Sequence, residues 1–513
     1  MSDDVEGSDV SASAPSQNSS DSRRSQSPSL GRILLSGPAL AVLSVALFGL
    51  AGEAVPALEP VRLFSAPSSE PETSEKAPDA PPVLDVGEAE LSGESRNLPG
   101  MATPETLSQV KARGPIGGQE APLDLPAIEA EDPPVELLDP TGTALDHFYA
   151  SLAETAQKKK GSRTRIAHFG DSIVVSDYVS GTLRRKLQDT FGDAGHGYML
   201  IANPWPAYFH NDVFRFATKG FRVSRIVGPL TSDNRYGLGG VTFRATAGAI
   251  AQFGTAEKGN YGRKVSRFEL SYLSRPNGGK FDIWVDGKVH TEVDTKNETE
   301  TVLRATIEVP DGEHRFEMRM RGGETRSFGV TLERDEPGVV LDALGVQGAR
   351  IRFLDKNDDE HFAEELKWRA PNLLVYQFGA NESGDGYAYP MDEYLRTMKL
   401  VIAQGQKALP EASCLIIGAM DRARRRDGVT SSMKIIQLIV AEQEKAAKEL
   451  GCAYFDTYAA MGGWGSMPAW VRRGLGQADM THPTGVGAIR IGNWIYRALM
   501  KGYDDYLAKR SGK

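Results

Sequence analysis

Apolar positions along this chain change their spacing several times, and each change marks a different kind of structure. Residues 177–191 place Val179, Leu183 and Leu187 four apart, the stripe of an amphipathic helix. From about 203 to 337 the runs shorten and turn β-rich, at 266–273, 280–285, 302–309 and 314–320. Asp286-Gly287 and Asp311-Gly312 punctuate them, and Asp-Gly between such runs is a hairpin signal. After residue 338 helical stripes return at 391–408, 431–450 and 486–500, separated by short apolar runs at 339–346, 373–378, 414–418 and 453–456. Strands alternating with helices predict a parallel sheet covered on both faces. An earlier strand at 164–169 belongs to the same sheet. The predicted fold is therefore α/β, a parallel sheet flanked by helices, with an all-β sandwich or jelly roll inserted between its first two strands.

The N-terminal quarter is patterned differently. Residues 1–32 are rich in Ser and Asp and carry no apolar period, as in a disordered tail. Arg23, Arg24 and Arg32 then precede an uncharged stretch from 33 to 51. As a helix that stretch would span about 28 Å, close to the thickness of a bilayer core. The positive-inside rule places the arginines in the cytoplasm and the rest of the chain outside. Residues 33–55 are thus expected to be a transmembrane signal anchor in the inner membrane, with a cleaved signal peptide as the rival. Residues 56–139, rich in Pro, Glu, Ser and Ala, read as a flexible linker. The expected globular parts are 140–202 and 338–513 for the α/β domain and 203–337 for the insert.

Composition narrows the possibilities. The net charge of −9 over 513 residues argues against a nucleic-acid partner. Cys414 and Cys452 each precede an apolar run and are expected to be buried free thiols. The eight histidines show no metal-binding spacing, and no metal or organic cofactor is expected. The run Asp421-Arg-Ala-Arg-Arg-Arg426 is expected to be a solvated charge cluster.

Sites in open α/β sheets form at the carboxyl ends of strands. Gly170-Asp171-Ser172 ends the first strand, Gly379-Ala380-Asn381-Glu382 follows the most apolar one, and Asp479-Met-Thr-His482 precedes the last helix. Acyl transfer needs a hydroxyl nucleophile, a base to take its proton and a carboxylate to orient that base. Ser172, His482 and Asp479 supply these in turn. Oxyanion donors are also required, and the Ser172 N–H and the Asn381 amide suit that task. His168, on the first strand, is read as structural rather than as the base. Trp464 and Trp470, in the segment leading to Asp479, are candidates for stacking on a sugar face.

At these residues the sequence resembles the SGNH (GDSL-like) hydrolase superfamily. The matching blocks are Phe169-Gly-Asp-Ser172, Gly348 within Gly345-Val-Gln-Gly348-Ala, Gly379-Ala-Asn381-Glu382, and Asp479-Met-Thr-His482. Ile173 replaces the Leu of the GDSL name. Glu382 replaces an Asp, a change expected to matter little. The resemblance implies a serine esterase with Ser172, Gly348 and Asn381 as its oxyanion hole. The insert, together with Ala460-Met-Gly-Gly463 and Gly465-Ser-Met467, is also similar to bacterial peptidoglycan O-acetylesterases, whose insert resembles a carbohydrate-binding module. That likeness implies an extracytoplasmic, membrane-anchored enzyme acting on an acetylated glycan, peptidoglycan or another envelope polysaccharide. The alternatives are a glycan O-acyltransferase and a non-catalytic glycan-binding surface protein.

Overall fold

The structure, a computed structural model, describes residues 132–133 and 135–511. The expected tail, the apolar run at 33–51 and most of the linker lie outside the described residues. Among the described residues no helix is long and apolar enough to cross a membrane.

Helix α1 (Asp146–Ala156) leads into strand β1 (Arg163–Gly170), a single helical turn α2 (Ser172–Val175) and helix α3 (Tyr178–Phe191). Eleven strands follow: β2 (Gly195–Met199), β3 (Val213–Ala217), β4 (Phe221–Arg225), β5 (Val241–Ala245), β6 (Ile250–Thr255), β7 (Val265–Ser274), β8 (Lys280–Val285), β9 (Lys288–Asp294), β10 (Thr301–Gly312), β11 (Arg315–Gly322) and β12 (Thr325–Glu333). They form two antiparallel sheets, β10-β7-β12-β5-β4 with β2 beside β12, and β3-β6-β11-β8-β9. Phe268 of the first stacks on Phe316 of the second at 5.2 Å between ring centroids, inside a sandwich core that also holds Phe253, Ile283 and Met318. Because β2 pairs with β12, the sandwich already begins ahead of residue 203.

The α/β part resumes with β13 (Gly338–Gly345), α4 (Asp359–Arg369), β14 (Leu373–Gln377), α5 (Met391–Ala408) and β15 (Ser413–Ile417). A hairpin of β16 (Ala423–Arg426) and β17 (Val429–Ser432) precedes α6 (Lys434–Leu450) and β18 (Ala453–Phe455). Helices α7 (Thr457–Met461), α8 (Ser466–Arg472) and α9 (Gly485–Ser511) complete the chain. The sheet is parallel, in the order β13-β1-β14-β15-β18. Side chains alternate across it, as a period of two requires. On β14, Leu373 and Val375 pack with Leu183 and Trp494 on one face, while Leu374 and Tyr376 pack with Ile402 and Ile439 on the other. This is an α/β fold, a parallel sheet flanked by helices, with an additional β domain.

Buried charges hold the sandwich to the sheet. Arg369 on α4 donates two hydrogen bonds to Asp342 on β13, at 2.8 and 2.9 Å, and pairs with Glu333 on β12 at 2.7 Å. Arg165 on β1 reaches the same glutamate with two bonds. Burial opposes ionisation of Glu333, but the two guanidinium groups overcome it and hold its carboxyl well below the usual range.

The cysteines correct the sequence reading. Leu415 of β15 lies opposite Ala453 of β18, which brings Cys414 beside Cys452, and the two form a disulfide rather than free thiols.

Candidate active site

The strand order places the site. Numbered by appearance in the sheet-forming chain, it is 2-1-3-4-5, which reverses direction at β1, and crevices open at the carboxyl ends where order reverses. Gly170 at the end of β1 is in register with Gly345 on one side and Gln377 on the other. The three loops that follow therefore start at one level. Gly345 has to be a glycine, because a Cβ there would lie 2.3 Å from the Val175 nitrogen.

Asp171 caps the turn that Ser172 begins, accepting a hydrogen bond from the Ile173 N–H at 3.0 Å. Ser172 is thus the first residue of a helical turn, where N–H groups lack an intrahelical acceptor. Its Oγ lies 2.9 Å from His482 Nε2. His482 Nδ1 lies 2.5 Å from Asp479 Oδ2, and Asp479 Oδ1 accepts from the N–H groups of Thr481 (2.9 Å) and His482 (3.0 Å). Met480 makes this tight turn with φ at +59°, and the turn is closed where the Gln477 N–H donates to the His482 carbonyl at 2.8 Å. Burial works against the Asp479 charge, yet the hydrogen bonds from His482 and from the Thr481 N–H hold its carboxyl below the usual range. An ionised Asp479 can only accept, so Nδ1 carries the imidazole proton and Nε2 is left to accept from Ser172.

The two other predicted donors lie in the loops after β13 and β14. Gly348, in the loop after β13, has φ at +73°, and a Cβ on it would meet nothing within 4 Å. It is glycine for its backbone angle, and its face is open. Asn381 Nδ2 donates to the Ala349 carbonyl at 2.9 Å and contacts Asp171 Oδ2 at 3.4 Å. The amide thus bridges the loops after β13 and β1.

Glu382 does more than expected. It is fully buried, and its two oxygens accept from the Ile351 N–H at 2.9 Å and the Gly379 N–H at 3.1 Å, locking the Gly348 loop to the Asn381 loop. Burial pushes its carboxyl up to about 7 and that of Asp171 up to about 6. His168 is buried against Gln377, and burial lowers it to about 4, so it stays neutral. His196 is a buried strand residue hydrogen-bonded to His210.

The two tryptophans part company. Trp464 is 47 % exposed, whereas Trp470 is 4 % exposed and packs edge-on against Trp494. Trp470 is therefore a core residue of α8 and not a substrate contact. The charge run also divides. Asp421 is buried and Arg422 half-buried, while Arg425 and Arg426 are exposed.

No family profile and no curated protein matches this chain. Solved structures do. A peptidoglycan O-acetylesterase superposes with a TM-score of 0.61 at 20 % identity, over 72 % of this chain and 99 % of its own. A lipase/acylhydrolase from Enterococcus faecalis matches with a TM-score of 0.24 at 19 % identity, over 32 % and 75 %. A family two carbohydrate esterase from Cellvibrio japonicus matches with a TM-score of 0.23 at 13 % identity, over 57 % and 99 %. This chain therefore shares its fold with a peptidoglycan O-acetylesterase.

Proposed function

We propose that this protein is a serine esterase that removes O-acetyl groups from peptidoglycan or another envelope glycan. The observation that carries the reading is the continuous hydrogen-bond path from Asp479 through His482 to Ser172. It sits in a fold shared with a peptidoglycan O-acetylesterase. Ser172 Oγ attacks the acetyl carbonyl carbon and gives its proton to His482 Nε2. Asp479 keeps the ring oriented and stabilises the imidazolium. The oxyanion takes hydrogen bonds from the Ser172 and Gly348 N–H groups and from Asn381, whose long contact to Asp171 is the one it displaces. Collapse expels the sugar oxygen, which takes the proton from His482 and leaves acetyl-Ser172. Water then attacks with His482 as base, acetate departs and Ser172 regains its proton.

The same reading places Trp464 as a stacking surface for a sugar ring, and the domain outside the cytoplasm, tethered to the inner membrane through residues 33–55. The Cys414–Cys452 disulfide supports an oxidising compartment. A fluorophosphonate probe tests the chemistry. It should label the wild-type protein at Ser172 and leave Ser172→Ala unlabelled; labelling elsewhere, or none, would refute the assignment.

A further inference from the structure

The three groups that act together come from loops far apart in the chain, and their relative placement has to be maintained by something other than the strands. Glu382 does so for Gly348 and Asn381. The Asp479–His482 loop comes from the chain segment before α9 and makes no use of that link.

Arg422 supplies the missing connection. It follows β15, and its backbone is held from both sides. The Met433 N–H donates to its carbonyl at 2.7 Å, and the neighbouring Ala423 N–H donates to the Met480 carbonyl at 3.0 Å. Asp421, immediately before it, accepts from Ser432 Oγ at 2.6 Å and the Met467 N–H at 2.8 Å, which fixes the root of the hairpin. From this mount the guanidinium reaches two loops at once. Its Nε donates to Thr481 Oγ1 at 2.9 Å. Its Nη1 donates to the Ala380 carbonyl and to Ser383 Oγ, both at 2.8 Å. Thr481 adjoins His482, and Ala380 adjoins Asn381.

We propose that Arg422 is a positioning residue for the esterase reaction, clamping the loop that carries the base to the loop that carries the oxyanion donor. The inference rests on the reading of Ser172, His482 and Asn381 given above. A planar fork with several fixed N–H directions suits three acceptors on two loops, and the single ammonium of a lysine does not. Released from the clamp, the Asp479–His482 turn shifts relative to Asn381. A displacement of about 1 Å at a reacting group costs on the order of 10² in rate.

The test is kinetic, with nitrophenyl acetate as substrate and the full chain as enzyme. Arg422→Ala is expected to lower kcat by about 10²-fold with KM nearly unchanged, and free guanidinium in the assay is expected to restore part of it. Arg422→Lys should recover little. Thr481→Val removes one arm, together with the Thr481 Oγ1 bond to the Asp479 carbonyl at 3.2 Å, without touching the buried Asp421, and should lower kcat by several-fold. If Arg422→Ala does not fold, Thr481→Val decides alone. Unchanged kcat, a loss confined to KM, or a loss that follows a lowered thermal midpoint and ignores guanidinium would overturn the proposal. A wild-type protein without Ser172-dependent hydrolysis would instead overturn the esterase reading beneath it.

Discussion

Ser172 Oγ and His482 Nε2 meet at 2.9 Å although 310 positions separate them in the chain. Neither lies on the same element as the other, so the contact depends on the whole sheet being assembled between them. Residues that act as one unit lose activity together when any member is removed. Ser172→Ala and His482→Ala should each lower turnover by about 10⁴-fold or more, and Asp479→Asn somewhat less. Asn381→Ala should cost on the order of 10²–10³-fold. Initial rates on an acetyl ester, with circular dichroism to verify folding, check the series. A harmless His482→Gln beside an inactive His168→Gln would reverse the assignment of the base.

Trp464 gives a prediction that separates substrate binding from chemistry. It stands exposed in a turn whose Gly465 N–H donates to Ser432 Oγ at 2.9 Å, so its loop is fixed to the hairpin after β15. Contacts remote from the reacting bond appear as efficiency on the substrate that makes them. Trp464→Ala should reduce kcat/KM several-fold on a polymeric glycan and leave nitrophenyl acetate hydrolysis unchanged. Equal rates on the polymer would remove Trp464 from the substrate path.

Stability should fall on mild acidification. Burial lowers His168 and His361 to about 4 and His210 to about 3, and drives His196 well down. A histidine lowered in the folded state binds fewer protons there than in the unfolded chain. Its contribution is therefore lost as pH drops below the ordinary value of about 6.5. At pH 5 His168, His361 and His210 each cost about 2 kcal/mol. Asp171 and Glu382 act in the opposite sense, since raised carboxyls favour folding at low pH, and together they return about 3 kcal/mol. Glu365, Asp421 and Asp456 are raised in the same sense, and the prediction is that the four histidines outweigh these carboxyls. The thermal midpoint should drop between pH 7 and pH 5; a flat or rising profile would contradict this.

Arg369 ties the sandwich to the sheet through Asp342 and Glu333, all three buried. Removing one partner of a buried ion pair leaves uncompensated charge and costs about 3–5 kcal/mol. Arg369→Ala should lose that much in urea unfolding. A loss below about 1 kcal/mol would place the strength of the junction elsewhere.

The strands, the insert and the Ser172, Asn381 and Asp479–His482 blocks were legible because each is local: a period, a turn pair, a short motif. What escaped depends on neighbours distant in sequence. Cys414 and Cys452 are 38 residues apart, and only the adjacency of β15 and β18 makes them partners, Cys414 inside β15 and Cys452 directly before β18. Trp470 sits one turn along α8, so its ring meets Trp494 of α9 instead of solvent. In the insert, Tyr272 is buried against Phe281, and Tyr261 donates to Asp189 of α3. The run 421–426 hid a buried Asp421 and a clamping Arg422 among solvated arginines, because composition does not tell which side chain turns inward.

Acetate release from O-acetylated peptidoglycan by the wild-type chain and by Ser172→Ala, run beside acetylated xylan, bears on the proposed reaction itself. The wild-type protein should release acetate, with peptidoglycan the better polymer, and Ser172→Ala should fall to background. Acetate release that persists in Ser172→Ala, or a wild-type protein that releases none from either polymer, would contradict a Ser172-dependent glycan esterase.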